Sequence, residues 1–194
     1  MIDRRLLITL LGLLVGPLLG GRMTVAQQVV IDHEYEYKAA YLYHFAGLCT
    51  WPQDEEDTSI VVGVLGPNRF GRQLERIRRQ SANLPRPIET LTFPDVSELE
   101  ACDILFVSGK QEDAQAELRL AQVMERLKNQ ATLVFTEVND REFFRQGVAV
   151  NFYIENNRLK LLINLQAAED AGIRIPERLQ KLPSVTVRGQ EADD

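Results

Sequence analysis

Gly66-Pro67-Asn68-Arg69-Phe70-Gly71 is the stretch closest to known chemistry, because its two glycines have the spacing of a phosphate-binding loop between a strand and a helix. Such a loop also needs Lys and Ser or Thr after the second glycine, to hold the terminal phosphate and Mg²⁺. Arg72-Gln73 stands there instead, so nucleotide hydrolysis is not supported. What remains is a tight strand-to-helix turn, or a helix N-terminus that attracts an anion. The two histidines do not complete a catalytic set. His33 lies between Asp32 and Glu34, a solvated setting, and His44 sits beside an aromatic helical stripe. No serine has the G-x-S-x-G surroundings of a nucleophile elbow. Glu55-Glu56 lacks the apolar shielding that would drive two carboxyl pKa values apart. No spacing of His, Cys, Asp and Glu suggests a metal, and no cofactor is expected. Arg72, Arg76, Arg78 and Arg79 form the one basic cluster, read as a solvated helix face, with an acidic partner as the alternative. The residues therefore argue against an enzyme.

The elements that carry these residues follow from composition and pattern. With 194 residues, 45% apolar and 26% charged, the chain has the makeup of one globular domain. Its formal charge of −6 disfavours a nucleic-acid partner. Arg4 and Arg5 precede an uncharged apolar run from Leu6 to Gly21, and Thr24-Val25-Ala26 supplies small or short residues before Gln27. This is the order of a secretory signal, cut between Ala26 and Gln27. The run is too short for the roughly 20 residues a spanning helix needs. Cleavage takes three of the 22 basic and one of the 28 acidic residues, shifting the net charge from −6 to −8. In an oxidising compartment Cys49 and Cys102 can pair; in the cytosol they would be buried thiols.

Along the rest of the chain, helical and strand periods alternate. Glu34 to Cys49 repeats apolar side chains at helical spacing and stops at Trp51-Pro52. Ile60–Leu65 and Ile104–Val107 read as buried strands, and Ile88–Phe93 as a half-buried one. Phe70–Arg79 and Asp113–Asn129 read as helices, the second capped by Asp113. Thr132–Val138 is a further strand. Val148–Ile154 and Leu159–Leu165 flank Asn156-Asn157, a hairpin turn signal. A short helix from Gln166 ends at Gly172, and Pro176 opens a last one to Leu182. The sum is a single α/β domain over residues 27–189, with a mixed sheet, helices packed on it and a C-terminal β-hairpin. An acidic flexible tail is expected from 190 to 194.

Several blocks, in order, resemble the YfiR-like periplasmic proteins. They are Lys38-Ala39-Ala40-Tyr41-Leu42-Tyr43-His44-Phe45-Ala46 with Trp51-Pro52, Val64-Leu65-Gly66 with Phe70-Gly71, and Ala101-Cys102-Asp103-Ile104-Leu105-Phe106. Phe144-Arg145-Gln146-Gly147, Ile163-Asn164-Leu165-Gln166-Ala167-Ala168, Ala171-Gly172-Ile173 and Arg178-Leu179-Gln180-Lys181-Leu182 complete the set. The resemblance implies a periplasmic, non-enzymatic regulator that binds the periplasmic part of an inner-membrane diguanylate cyclase and represses it. It also implies an outer-membrane lipoprotein as sequestering partner, a homodimer, and disulfides as stability or redox elements. Three departures stand out: His44 for an asparagine, Gln166 for an aspartate, and Gly63 for the cysteine before V-L-G. Cys102 thus lacks its usual partner, leaving either a Cys49–Cys102 bond or two separate buried thiols.

Two classes of function remain. If contact with a protein is the function, an apolar surface should carry it, and Ile173, Ile175, Leu179 and Leu182 are the candidates, with core packing as the alternative. The other reading is a periplasmic small-ligand sensor at the strand ends, lined by Gly66, Phe70, Gly71 and Ser108.

Overall fold

The computed structural model describes residues 25–52, 59–109, 114–140 and 147–188. The stretch 1–24, including most of the expected signal, lies outside the described residues, as do Asp113 and the tail from 190. Helix α1 runs Val25–Leu48, starting earlier than the pattern predicts, so Ala26 and Gln27 stand in its first turn. Then come β1 (Ile60–Leu65), α2 (Gln73–Gln80), β2 (Ile88–Phe93), β3 (Ile104–Val107), α3 (Ala114–Arg126) and β4 (Leu133–Thr136). The chain continues with β5 (Val148–Glu155), β6 (Arg158–Asn164), α4 (Leu165–Asp170), α5 (Glu177–Gln180) and β7 (Val185–Arg188).

The seven strands form one mixed sheet in the order β2-β1-β3-β4-β5-β6-β7. Strands β1 to β5 run parallel; β6 turns back antiparallel on β5, and β7 lies parallel to β6. The interior strands β3 and β4 are buried on both faces, as helix-covered parallel strands must be, and their sequences are unbroken apolar runs closed by Thr136. At one edge, β2 alternates polar and apolar side chains. Asn156 and Asn157 both take positive φ, 48° and 59°, the conformation a two-residue hairpin turn requires.

Helices α1, α2, α4 and α5 cover one face of the sheet around Leu42, Phe45, Phe106, Phe135 and Phe152. Helix α3 covers the other around Leu65, Leu105, Val107 and Val123. Helix α2 begins at Gln73 rather than Phe70. The Asn68 side chain accepts from the Phe70 N–H and Gly71 takes φ +54°, which together hold the loop out of helix.

Helix α4 is closed at both ends by the residues its sequence offers. Asn164 Oδ1 accepts from Ala167 N–H at 3.2 Å. At the far end Gly172 (φ +74°) donates to Glu169 O and Ile173 donates to Ala168 O, the paired bonds of a left-handed helix stop. Asn164→Ala is expected to lower stability by about 1 kcal/mol, the usual worth of an N-cap; urea unfolding reads it directly.

Candidate functional site

The carboxyl ends of β1, β3 and β4 meet where the strand order reverses, the usual place for a ligand in such a sheet. Glu137, just beyond β4, has a fully buried side chain there. Its Oε2 accepts from Lys38 Nζ at 2.6 Å and from Tyr35 Oη at 2.8 Å. Its Oε1 accepts from Gly109 N–H at 3.0 Å and Ser108 Oγ at 3.2 Å, with Arg69 at 3.5 Å. Lys38, buried on α1, also donates to Glu34 one turn earlier at 2.5 Å, and its ammonium lies 4.5 Å from the centre of the Tyr35 ring. Burial alone would raise the Glu137 pKa; the Lys38 ammonium and the hydrogen bonds from Lys38, Tyr35 and Gly109 outweigh it and hold the carboxyl below its ordinary value. Burial pushes the Tyr35 phenol well above its ordinary range; the Arg69 hydrogen bond opposes this and Glu137 adds to it. Every oxygen of Glu137 is thus engaged, and the cluster pins α1 to two strand ends and to the loop after β1.

Two of the four residues expected to line a ligand crevice, Phe70 and Ser108, are buried. Phe70 is core, packed edge-on against Tyr35 and Phe106 at ring-centre distances of 5.2 and 4.9 Å. Ser108 is buried, and its carbonyl accepts from Arg119 of α3 at 2.8 Å. A side chain at Gly66 (φ +86°) would stand 3.4 Å from the same guanidinium, while Gly71 faces open space. Among the described residues, Arg119 and Glu137 lie against Gly66 and Ser108. Hollows occur elsewhere. One of about 610 Å³ lies beside Asp95, Val96 and Arg126, and one of about 240 Å³ lies under Ile173, Ile175 and Gln180. Among the described residues no group of three or more His, Cys, Asp or Glu is placed to hold a metal ion.

The apolar candidates for partner contact are also corrected. Ile173, Ile175 and Leu179 are buried in the α1-side core, and Leu182 is half-buried against it. The helix stop at Gly172 directs Ile173 inward, and Thr50 pairs with Arg174 on both backbone hydrogen bonds, holding the segment against the end of α1. Cys49 and Cys102 are free thiols in the two cores on opposite faces of the sheet. Burial pushes each thiol up to about 12, so neither is a ready nucleophile. Of the basic cluster, Arg78 and Arg79 bind Glu75 and Arg76 binds Glu36, all on an exposed helix face.

A surface that the sequence pattern passed over is the outer side of α1. His33, Tyr37, Ala40, His44 and Gly47 are exposed, while Glu34, Lys38, Leu42 and Phe45 on the opposite side are buried. From Ala39 to Pro52 the chain carries no charged side chain. Four of its five tyrosines and both histidines lie between residues 33 and 44. Tyr37, half in solvent, is one of two large apolar side chains exposed among the described residues; the other is Leu118. None of the described helices is long and apolar enough to cross a membrane.

Comparison with curated proteins gives no match. The family model described as YfiR/HmsC-like matches residues 35–183, from the Tyr35 that bonds Glu137 to the turn before β7. That span holds the clamp on α1, the switch point and the hairpin, and with it the chain belongs to the YfiR/HmsC-like family.

Proposed function

We propose that this chain is an exported regulator that binds the periplasmic part of an inner-membrane diguanylate cyclase and represses it, with an outer-membrane lipoprotein as a sequestering partner. The observation that carries the reading is membership of the YfiR/HmsC-like family across nearly the whole described domain. That family is regulatory rather than catalytic and works in cyclic di-GMP signalling. Export rests on the basic, apolar and small-residue order of the first 26 residues.

Affinity capture from solubilised membranes tests the proposal. The tagged protein should retain a diguanylate cyclase, and its deletion should raise cellular cyclic di-GMP. A deletion strain with unchanged cyclic di-GMP, together with no cyclase on the resin, would overturn it. Mass measurement of the exported protein should find Gln27 at its N-terminus.

A further inference from the structure

We infer that the outer side of α2 docks the protein on a membrane surface of anionic phospholipid, with the uncharged outer side of α1 lying beside it at the interface. The inference rests on export, which brings the processed chain to such a surface, and not on the cyclase reading. Between residues 66 and 88 the chain carries six arginines and one glutamate, in a protein whose formal net charge is −6. Positive charge is therefore gathered on one short segment of an otherwise acidic molecule.

The helix turns this charge outward. At about 100° per residue, Arg72, Arg76 and Arg79 fall within about 60° of one another, opposite the buried Leu74 and Ile77. The Arg72 side chain makes no hydrogen bond or ion pair among the described residues. Arg78 and Arg79 share the carboxylate of Glu75, at 2.7 and 2.8 Å, and Arg76 takes Glu36 of α1 at 2.6 Å. Glu75 sets one negative charge against two guanidiniums, so the stripe keeps a positive excess. Exposed ion pairs of this kind hold their side chains weakly. The guanidiniums are thus able to turn to phosphate oxygens, which an arginine grips with two parallel hydrogen bonds.

The neighbouring helix selects lipid over an acidic protein. Helices α1 and α2 lie in one layer on the same sheet face and are tied by Glu36 and Arg76, so their outer sides form one surface. The hollows beside Asp95 and under Ile173 lie elsewhere, so the stripe is not the wall of either. Beside it α1 shows Tyr37, half in solvent, with Ala40 and Gly47, and no charged side chain from Ala39 to Pro52. Tyrosine settles at the level of lipid headgroups, and basic charge next to uncharged aromatic surface is the composition that lies on anionic membranes. An acidic protein would use the arginines and leave the tyrosine strip without a role. Beyond a Debye length, about 10 Å at 0.1 M salt, repulsion from the remote acidic surface is screened, while guanidiniums in contact are not.

Co-sedimentation with mixed phosphatidylglycerol and phosphatidylcholine vesicles at low salt should pellet the processed protein. Salt at about 0.5 M, or vesicles of phosphatidylcholine alone, should leave it in solution. Each arginine lost from the contact lowers partitioning about fivefold, so Arg72→Gln with Arg79→Gln should lower it about 25-fold, with unchanged circular dichroism. Lys128→Gln with Arg158→Gln, the same loss of charge at exposed positions off the stripe, should leave it unchanged. If the arginine pair fails to fold, Arg72→Gln alone carries the test at about fivefold. No pelleting on the anionic vesicles, equal pelleting on neutral ones, or indifference to the arginine substitutions would overturn the proposal. Capture by immobilised polyglutamate without vesicle binding would overturn it too, and assign the stripe to an acidic protein. Intact mass of the same sample reads processing separately: a failure of export shows as an N-terminus other than Gln27, not as lost vesicle binding.

Discussion

Lys38→Met should unfold at markedly lower urea, losing about 3–5 kcal/mol, the usual cost of removing one partner from a buried ion pair. Methionine fills similar space, so the loss reports the stranded carboxylates, Glu137 with no side-chain exposure and Glu34 nearly as buried. Proton linkage separates this from a packing defect. Glu137 has a folded pKa below its unfolded value. Its contribution is therefore complete above the unfolded value of about 4.3 and is lost as pH falls through the lower folded value. In Lys38→Met the largest part of that contribution is already gone. The stability gap between the wild type and the variant should narrow as pH falls below about 4. A gap that stays constant from pH 7 down to pH 3 would show that Lys38 acts through its methylenes alone.

Gly63→Cys should form a disulfide with Cys102. A Cβ built on Gly63 lies 3.2 Å from Cys102 Sγ, close to the roughly 3 Å that a 2.0 Å S–S bond implies between a Cβ and the far sulfur. Closing a loop of about 40 residues stabilises by about 4 kcal/mol in the chain-entropy model. The same Cβ falls 2.8 Å from Phe93 Cε2, so the ring must yield. That overpacking costs about 1–3 kcal/mol. The oxidised variant should be more stable than wild type and the reduced variant less stable, with mass mapping finding a 63–102 link. A variant that remains reduced under oxidising conditions would contradict the geometry. Phe93 thus lies against the place of a side chain at 63, and Cys102 Sγ lies within bonding reach of a cysteine placed there.

Much of the fold was legible in local pattern. The unbroken apolar runs of β1 and β3 and the alternation of β2 set those strands at their observed bounds, because burial on two faces or one leaves different periods. Asn156-Asn157 and Gly172 did the same for the hairpin and for the end of α4, since few residues tolerate positive φ. Strand β7 escaped: Val-Thr-Val-Arg is four residues long and follows Pro183-Ser184, too short a run to carry a period.

The site was harder to read, because what decides it is distant in sequence. Lys38 stands on a buried stripe where periodicity calls for an apolar residue, and the Glu137 that justifies it lies 99 positions on. The strand–loop–helix order around Gly66 was right, but local sequence gave no sign that Arg119 from α3 and the Lys38 cluster from α1 come against it. The two cysteines could be judged only once the sheet separated them. The exposed side of α1 was hidden for a simpler reason: an aromatic stripe looks the same whether it faces the core or the solvent, and α1 has one of each.

The clamp on α1 also bears on the order in which the chain can fold. Lys38 and Tyr35 wait for Glu137, and Tyr41 bonds Ser184, 143 residues further on. Such long-range closures slow folding, because the intervening chain must be gathered before any contact rewards it. While the chain is still emerging, its first helix has nowhere to bury the lysine, and the domain cannot lock until residues near its far end arrive. The molecule therefore stays threadable for as long as it is incomplete.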